Sequence, residues 1–370
     1  MADVVVILHA PTDRRVFDLF NWLRVALPDF SYLIWAKNIH TVEKWLYPGA
    51  ILLQVADVDA LLAHIAARST TTFVWLPLIE EELVSLLAKE HLPANLRLLA
   101  PDAANFEVAR NKSSLTKRFM HQHLTPRHYS LQELQTDFPA GGVVAKPAVG
   151  KGAIGRQYID SAADLPKIQA GDTIQQRVGA GKEVIGAFYL MEHGQVLRHY
   201  QHQRVRTYPT DGGVSSCAKT VHIPEIAAAG ATILGELNWH GLAMLEFLQD
   251  PATGRYLAIE CNPRLWGTCL LGEFAGYGLV EGYIRLALGQ KPTATTPLPV
   301  AHIRWYFPYE LLYALRSPIK RFDLFWGGKA NTCYIGGTRA SWGRALLFIG
   351  ASLFKAEKWQ ILYKKITGKR

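Results

Sequence analysis

The sequence predicts an α/β and α+β protein: an N-terminal doubly wound parallel sheet, a two-part α+β body, and a basic helical extension. Three observations lead there. Short apolar runs alternate with amphipathic stretches over residues 1–104. Two later apolar runs each carry one carboxylate and flank a turn. The excess positive charge lies wholly in the last part of the chain.

Runs at 4–8, 32–35, 50–53, 73–76 and 96–99 read as strands, and 16–26, 58–67 and 80–89 as helices. Strand–helix alternation of this kind builds a parallel sheet. His9-Ala10-Pro11-Thr12-Asp13 follows the first strand where a dinucleotide-binding turn would carry GxGxxG, so no dinucleotide is implied. Such a domain serves equally as scaffold or as one wall of a substrate site.

The body, 105–295, divides at about residue 180. Residues 106–123 read as one helix, with Lys112 near its start. A strand carrying Lys146 runs into Gly150-Lys151-Gly152-Ala153-Ile154-Gly155. Glycines let backbone amides close around phosphate oxygens, and Lys146 supplies a point charge; the bland alternative is a loop that only turns the chain. Gly179-Ala180-Gly181-Lys182 is not a Walker A sequence, because Glu183 stands where Ser or Thr is required. The strand 173–178 offers Gln176, Arg177 and Val178 to a purine edge and leads to Glu183 for ribose hydroxyls; an ordinary strand and turn competes. A hairpin about His193-Gly194 follows, then a basic strand with Arg204 and Arg206 that runs into Gly212-Gly213. One of these arginines is expected to reach phosphate and the other to be solvated; Arg206 is the catalytic candidate. Residues 226–237 read as a helix.

The most informative segment pairs 241–248 with 257–264 across a turn containing Asp250, Pro251 and Gly254. Pairing sets Glu246 beside Glu260, and Asn262 lies two residues on, on the same sheet face. Two carboxylates and an amide oxygen form a hard-oxygen site suited to Mg2+ rather than zinc. Two buried acids without a cation would be costly. Arg264, just past the strand, is the type of residue that holds phosphate.

In this order the pieces resemble the ATP-grasp superfamily over roughly residues 105–290. The resemblance implies ATP between two α+β subdomains. Lys112 and Lys146 would meet the α- and β-phosphates, and the 150–155 loop would close over the γ-phosphate. Gln176 to Val178 would meet adenine, and Glu183 ribose. Glu246, Glu260 and Asn262 would hold one or two Mg2+ (or Mn2+) ions, with Arg264 steadying the transferred group. The Glu260-Cys261-Asn262-Pro263-Arg264 form is closer to the carbamoyl-phosphate synthase and biotin carboxylase branch than to the D-alanine ligases. The implied activity is ADP-forming ligation of a carboxylate to an amine. A kinase, or a nucleotide-binding accessory protein at a membrane surface, is the alternative.

Net charge is +9. From Arg316 onward twelve Lys/Arg stand against two acids, a net of +10, so residues 1–315 are near neutral and no nucleic-acid partner is expected. Residues 296–370 form the aromatic and basic extension. Its 340–370 stretch mixes lysines with Trp, Phe and Leu, which suits an anionic membrane interface. The competing readings are a helix packed on the body and a site for an acidic substrate. The start resembles a first strand rather than a signal peptide. Cys217, Cys261, Cys269 and Cys333 show no CxxC spacing, and reduced thiols in the cytoplasm are expected.

Overall fold

The computed structural model describes residues 3–150, 154–179, 183–208, 214–305, 310, 331–334 and 342–353. The first unit runs β1 (Asp3–His9), α1 (Arg14–Ala26), β2 (Ser31–Ala36), α2 (Thr41–Leu46), β3 (Ile51–Gln54), α3 (Val58–Ala66), β4 (Thr71–Trp75), α4 (Glu80–Leu87) and β5 (Leu96–Arg97). Its five strands are parallel in the order β3-β2-β1-β4-β5, the doubly wound arrangement expected. Strand periodicity sends alternate residues to two cores. Val5 and Ile7 share one with Leu61 and Ile65 of α3; Val6 and Leu8 share the other with Phe17 and Phe20 of α1. The strand expected over 96–99 is only two residues long. Leu99 has left the sheet, and its amide donates to the Tyr283 hydroxyl at 3.1 Å.

The single helix expected over 106–123 is broken into α5 (Ala103–Arg110) and α6 (Lys112–Phe119). Asn111 is extended, and its side-chain oxygen accepts from the amides of Ser113 and Ser114 at 3.0 and 3.1 Å. Helical periodicity masked this N-cap. The break sets Lys112 at the head of α6, its amide donating to Ala148 O at 2.8 Å. Asn111→Ala should cost about 1 kcal/mol of stability. Asn111→Asp should restore it, and urea midpoints check both.

After α7 (Leu131–Thr136), β6 (Val143–Pro147), β7 (Gln157–Ile159) and β8 (Asp172–Gln176) form a small antiparallel sheet, order β7-β6-β8. The larger sheet is built from β9 (Ile185–Glu192), β10 (Gln195–Tyr208), β11 (Val214–Val221), β12 (Gly241–Gln249), β13 (Tyr256–Asn262), β14 (His302–Arg304) and β15 (Thr332–Tyr334). Its order is β13-β12-β9-β10-β11-β14-β15. One face shares a core with α8 (Pro224–Glu236) and α5, through Ala187, Tyr189, Leu245 and Phe247. The other face presents Phe188, Leu190, Leu242 and Met244 to α10 (Leu279–Ala287) and to α1, which joins the sheet to the first unit. A short helix, α9 (Cys269–Phe274), precedes α10.

The C-terminal extension is not helical throughout. β14 and β15 add a parallel pair to the large sheet, and only α11 (Trp342–Leu353) is a helix among its described residues. Ala345 and Phe348 of α11 are buried, and the Phe348 ring stacks on Phe17 at 4.5 Å. The tail after residue 353 lies outside the described residues. All four cysteines are free and buried.

Candidate active site

Glu246 pairs directly with Glu260, and Met244 with Asn262, so the hairpin register puts both carboxylates and the amide on one face. That face is apolar at the Leu242 end and polar at the Glu246 end. Burial pushes the Glu246 carboxyl up; nearby Arg204 opposes this, and Glu260 adds to it. Two cations from α6 and β6 reach across. Lys112 Nζ lies 3.5 Å from Glu260 Oε1 and donates to Gly150 O at 3.0 Å. Lys146 Nζ donates to Ile259 O at 3.0 Å. Burial lowers the Lys146 ammonium to about 8, partly offset by Glu260.

Arg264 closes the group, donating through Nη2 to Asn262 Oδ1 at 3.0 Å. Its Nε stands 3.9 Å from Glu80 Oε2, at the start of α4, and Glu80 also receives Arg110 Nε at 2.9 Å. Arg15 donates to Leu78 O and Leu265 O, both at 2.8 Å, and Arg14 to Gly267 O at 2.7 Å. The first unit thus fixes the segment that follows Arg264.

Of Arg204 and Arg206 near the end of β10, Arg204 is the one beside the carboxylates, where it pairs with Glu246. It reaches over β9 where Gly186, the register partner of both Glu246 and His202, carries no side chain of its own. Arg206 is held elsewhere. Its Nε and Nη2 grip Glu310 at 2.8 and 2.7 Å, Ser216 donates to the same carboxylate at 2.8 Å, and Arg304 stands 3.3 Å away. Sequence pattern leaves Arg204 and Arg206 equivalent and does not mark Glu80 at all. Glu80 heads the run Glu80-Glu81-Glu82, which reads as ordinary complement to a helix N-terminus.

Gln176, Arg177 and Val178 lie where the chain leaves the small sheet. The Gln176 amide donates to Arg127 O at 2.8 Å, Arg177 pairs with Asp160 at 2.6 Å over the Tyr158 ring, and Val178 is buried. Glu183 is exposed and accepts from Gln203. Gly150 is exposed, and Gly155 adopts φ 76°, a left-handed conformation suited to glycine. Lys151 and Gly152 lie outside the described residues.

Among the described residues no three His, Cys, Asp or Glu side chains cluster as a metal site. The hairpin offers two carboxylates and one amide oxygen. That set fits a hard cation such as Mg2+, which takes few protein ligands and fills its remaining positions with phosphate oxygens and water. The raised Glu246, facing a second carboxylate, marks a place where added positive charge is stabilising.

The family described as carbamoyl-phosphate synthase L chain, ATP binding domain, matches residues 217–294, which include the hairpin and Arg264. No curated protein matches the chain. Solved structures are similar. The biotin carboxylase domain of Hydrogenobacter thermophilus 2-oxoglutarate carboxylase, in complex with MgADP and bicarbonate, superposes with TM-score 0.61 at 14% identity over 81% of this chain and 73% of that one. N5-carboxyaminoimidazole ribonucleotide synthetase from Thermotoga maritima gives 0.58 at 14% over 82% and 80%. Rhizobium etli pyruvate carboxylase gives 0.59 at 15% over 81% of this chain, which spans only 30% of that protein's length. At these identities the likeness is one of fold.

Proposed function

We propose that this chain, whose fold is that of the ATP-grasp superfamily, is an ATP-dependent, ADP-forming ligase that joins a carboxylate to an amine. One observation carries the reading: two lysines from α6 and β6 converge on the strand that bears Glu260, opposite Glu246. Positive charge facing a carboxylate pair is what a nucleoside triphosphate and its metal require.

Lys112 and Lys146 would bind the α- and β-phosphates, with Gly150, Lys151, Gly152 and Gly155 closing over the γ-phosphate. Gln176, Arg177 and Val178 would border adenine, and Glu183 the ribose. Glu246, Glu260 and Asn262 would hold Mg2+ (or Mn2+), which supplies neutralisation of phosphate charge when bound. A substrate carboxylate oxygen attacks the γ-phosphorus as the bond to the β-phosphate oxygen breaks, which yields an acyl-phosphate and ADP. A neutral amine then attacks the acyl carbon, phosphate leaves, and the amine loses its proton. Arg264 would steady the transferred phosphoryl group. Arg204 stands nearer the carboxylates than Arg206, so Arg206 would act only from behind its pairing with Glu310.

ADP release measured against pools of carboxylates and amines tests the activity. Production that depends on both kinds of substrate supports ligation, whereas release with a carboxylate or hydroxyl acceptor alone would point to a kinase. Lys146 adds a pH signature. Its ammonium is mostly charged at pH 7 and is lost as pH rises through about 8, so nucleotide affinity should fall about tenfold between pH 7 and 9. Lys146→Arg, charged throughout, should flatten the profile in a titration series; an unchanged slope would remove Lys146 from the phosphate site.

No helix among the described residues is long and apolar enough to cross a membrane. We also propose that the protein works in the cytoplasm, with its basic C-terminal stretch against an anionic membrane surface.

A further inference from the structure

The large exposed apolar side chains on two touching helices form a single kind of surface. On α11, Trp342 is 76% exposed, Leu346 65% and Leu347 38%; on α2, which α11 packs against, Trp45 is 69% exposed. Scattered apolar residues need no explanation, but two tryptophans and two leucines on adjoining helices do. The inner sides of both helices are already occupied, since Ala345, Phe348 and Leu46 belong to the core shared with α1. These four lie outside that core.

Charge indicates what covers them. Residues 342–370 hold seven Lys/Arg against one acid, a net of +6, and Arg24 on α1 stands close enough to Arg344 to oppose its charge. A second copy docking on this face would bring two such tails together and would be repelled. A polyanion would satisfy the lysines and leave the tryptophans in water. An anionic lipid surface satisfies both, because tryptophan favours the headgroup boundary and lysines are drawn to the surface potential.

We infer that α2 and α11 form a lipid-facing plane, with Trp45, Trp342, Leu346 and Leu347 seated among the headgroups of an anionic membrane. The inference rests on the membrane reading of the tail and adds the surface that makes the contact. It would hold the face formed by α1, α2 and α11 toward the bilayer.

Co-sedimentation of the full chain with phosphatidylcholine vesicles, with and without phosphatidylglycerol, tests it. The protein should pellet with the anionic vesicles only and be released as salt rises from about 0.1 to about 0.5 M. Trp342→Ser with Leu346→Ser should lower the partition coefficient at least about tenfold, and Trp45→Ser severalfold. ADP release and urea midpoint should stay at wild-type values in both. Lys364→Glu with Lys365→Glu, in the tail alone, should weaken binding and flatten its remaining dependence on salt. If the tail variant loses binding while the helix variants keep it, the assigned surface is wrong and the tail reading stands. If the wild type binds neither vesicle, both fail. A wild-type dimer that Trp342→Ser/Leu346→Ser dissolves, without lipid binding, would make this face a contact between copies and overturn the proposal.

Discussion

Glu260→Gln should lower the rate of ADP release about a thousandfold, roughly 4 kcal/mol of transition-state stabilisation. The substitution keeps side-chain shape and removes one charge. Glu260 stands 3.5 Å from Lys112 and directly across from Glu246, so that charge both orients the lysine proposed to bind phosphate and makes up half of the carboxylate pair. The side chain is 18% exposed and lies outside the apolar cores, so folding should survive. A structural role and a catalytic one then separate cleanly: near-wild-type urea midpoint with lost turnover means chemistry, and lost turnover with a lowered midpoint means packing. Removing Glu260 also removes one cause of the raised Glu246 carboxyl, so Glu246 should titrate lower in the variant, which carboxyl NMR can follow. Turnover within threefold of wild type would sink the assignment of the pair.

The hairpin was legible because its determinants are local. Asp250, Pro251 and Gly254 fix the turn, alternation fixes the faces, and together they fix Glu246 opposite Glu260. The parallel sheet of the first unit was legible for the same reason, since each strand announces itself by its own apolar run. The sequence singles out Lys112 as a candidate but not the break that positions it, because a single capping side chain at Asn111 is outweighed by helical periodicity on both sides. Arg204 beside Glu246 depends on the sheet order β12-β9-β10 and on Gly186 lying between; no spacing within β10 distinguishes Arg204 from Arg206. Glu80 reaches Arg264 only because the first unit docks on the large sheet, a matter of tertiary packing. β14 and β15 are three residues each, too short to carry a period.

Glu310→Gln should destabilise the protein by about 3–5 kcal/mol, a large part of the roughly 5–15 kcal/mol that holds a domain folded. Glu310 is completely buried, and Arg206 and Arg304 are 15% and 5% exposed. Glutamine keeps the shape but not the charge, so two guanidinium groups lose their carboxylate inside the protein. The cost arises from breaking the set rather than from its net worth. Replacing Glu310 with Leu together with Arg206 by Met should recover only part of the loss, since one of the two buried guanidinium groups is removed while Arg304 still loses that carboxylate. Urea midpoints of the single and double variants measure both. The same pair decides the place of Arg206. At a temperature where Glu310→Gln remains folded, kcat near wild type would show that the Arg206–Glu310 grip serves folding alone. A fall in kcat with KM for ATP unchanged, restored in no variant lacking Arg206, would place that arginine in the phosphoryl-transfer step.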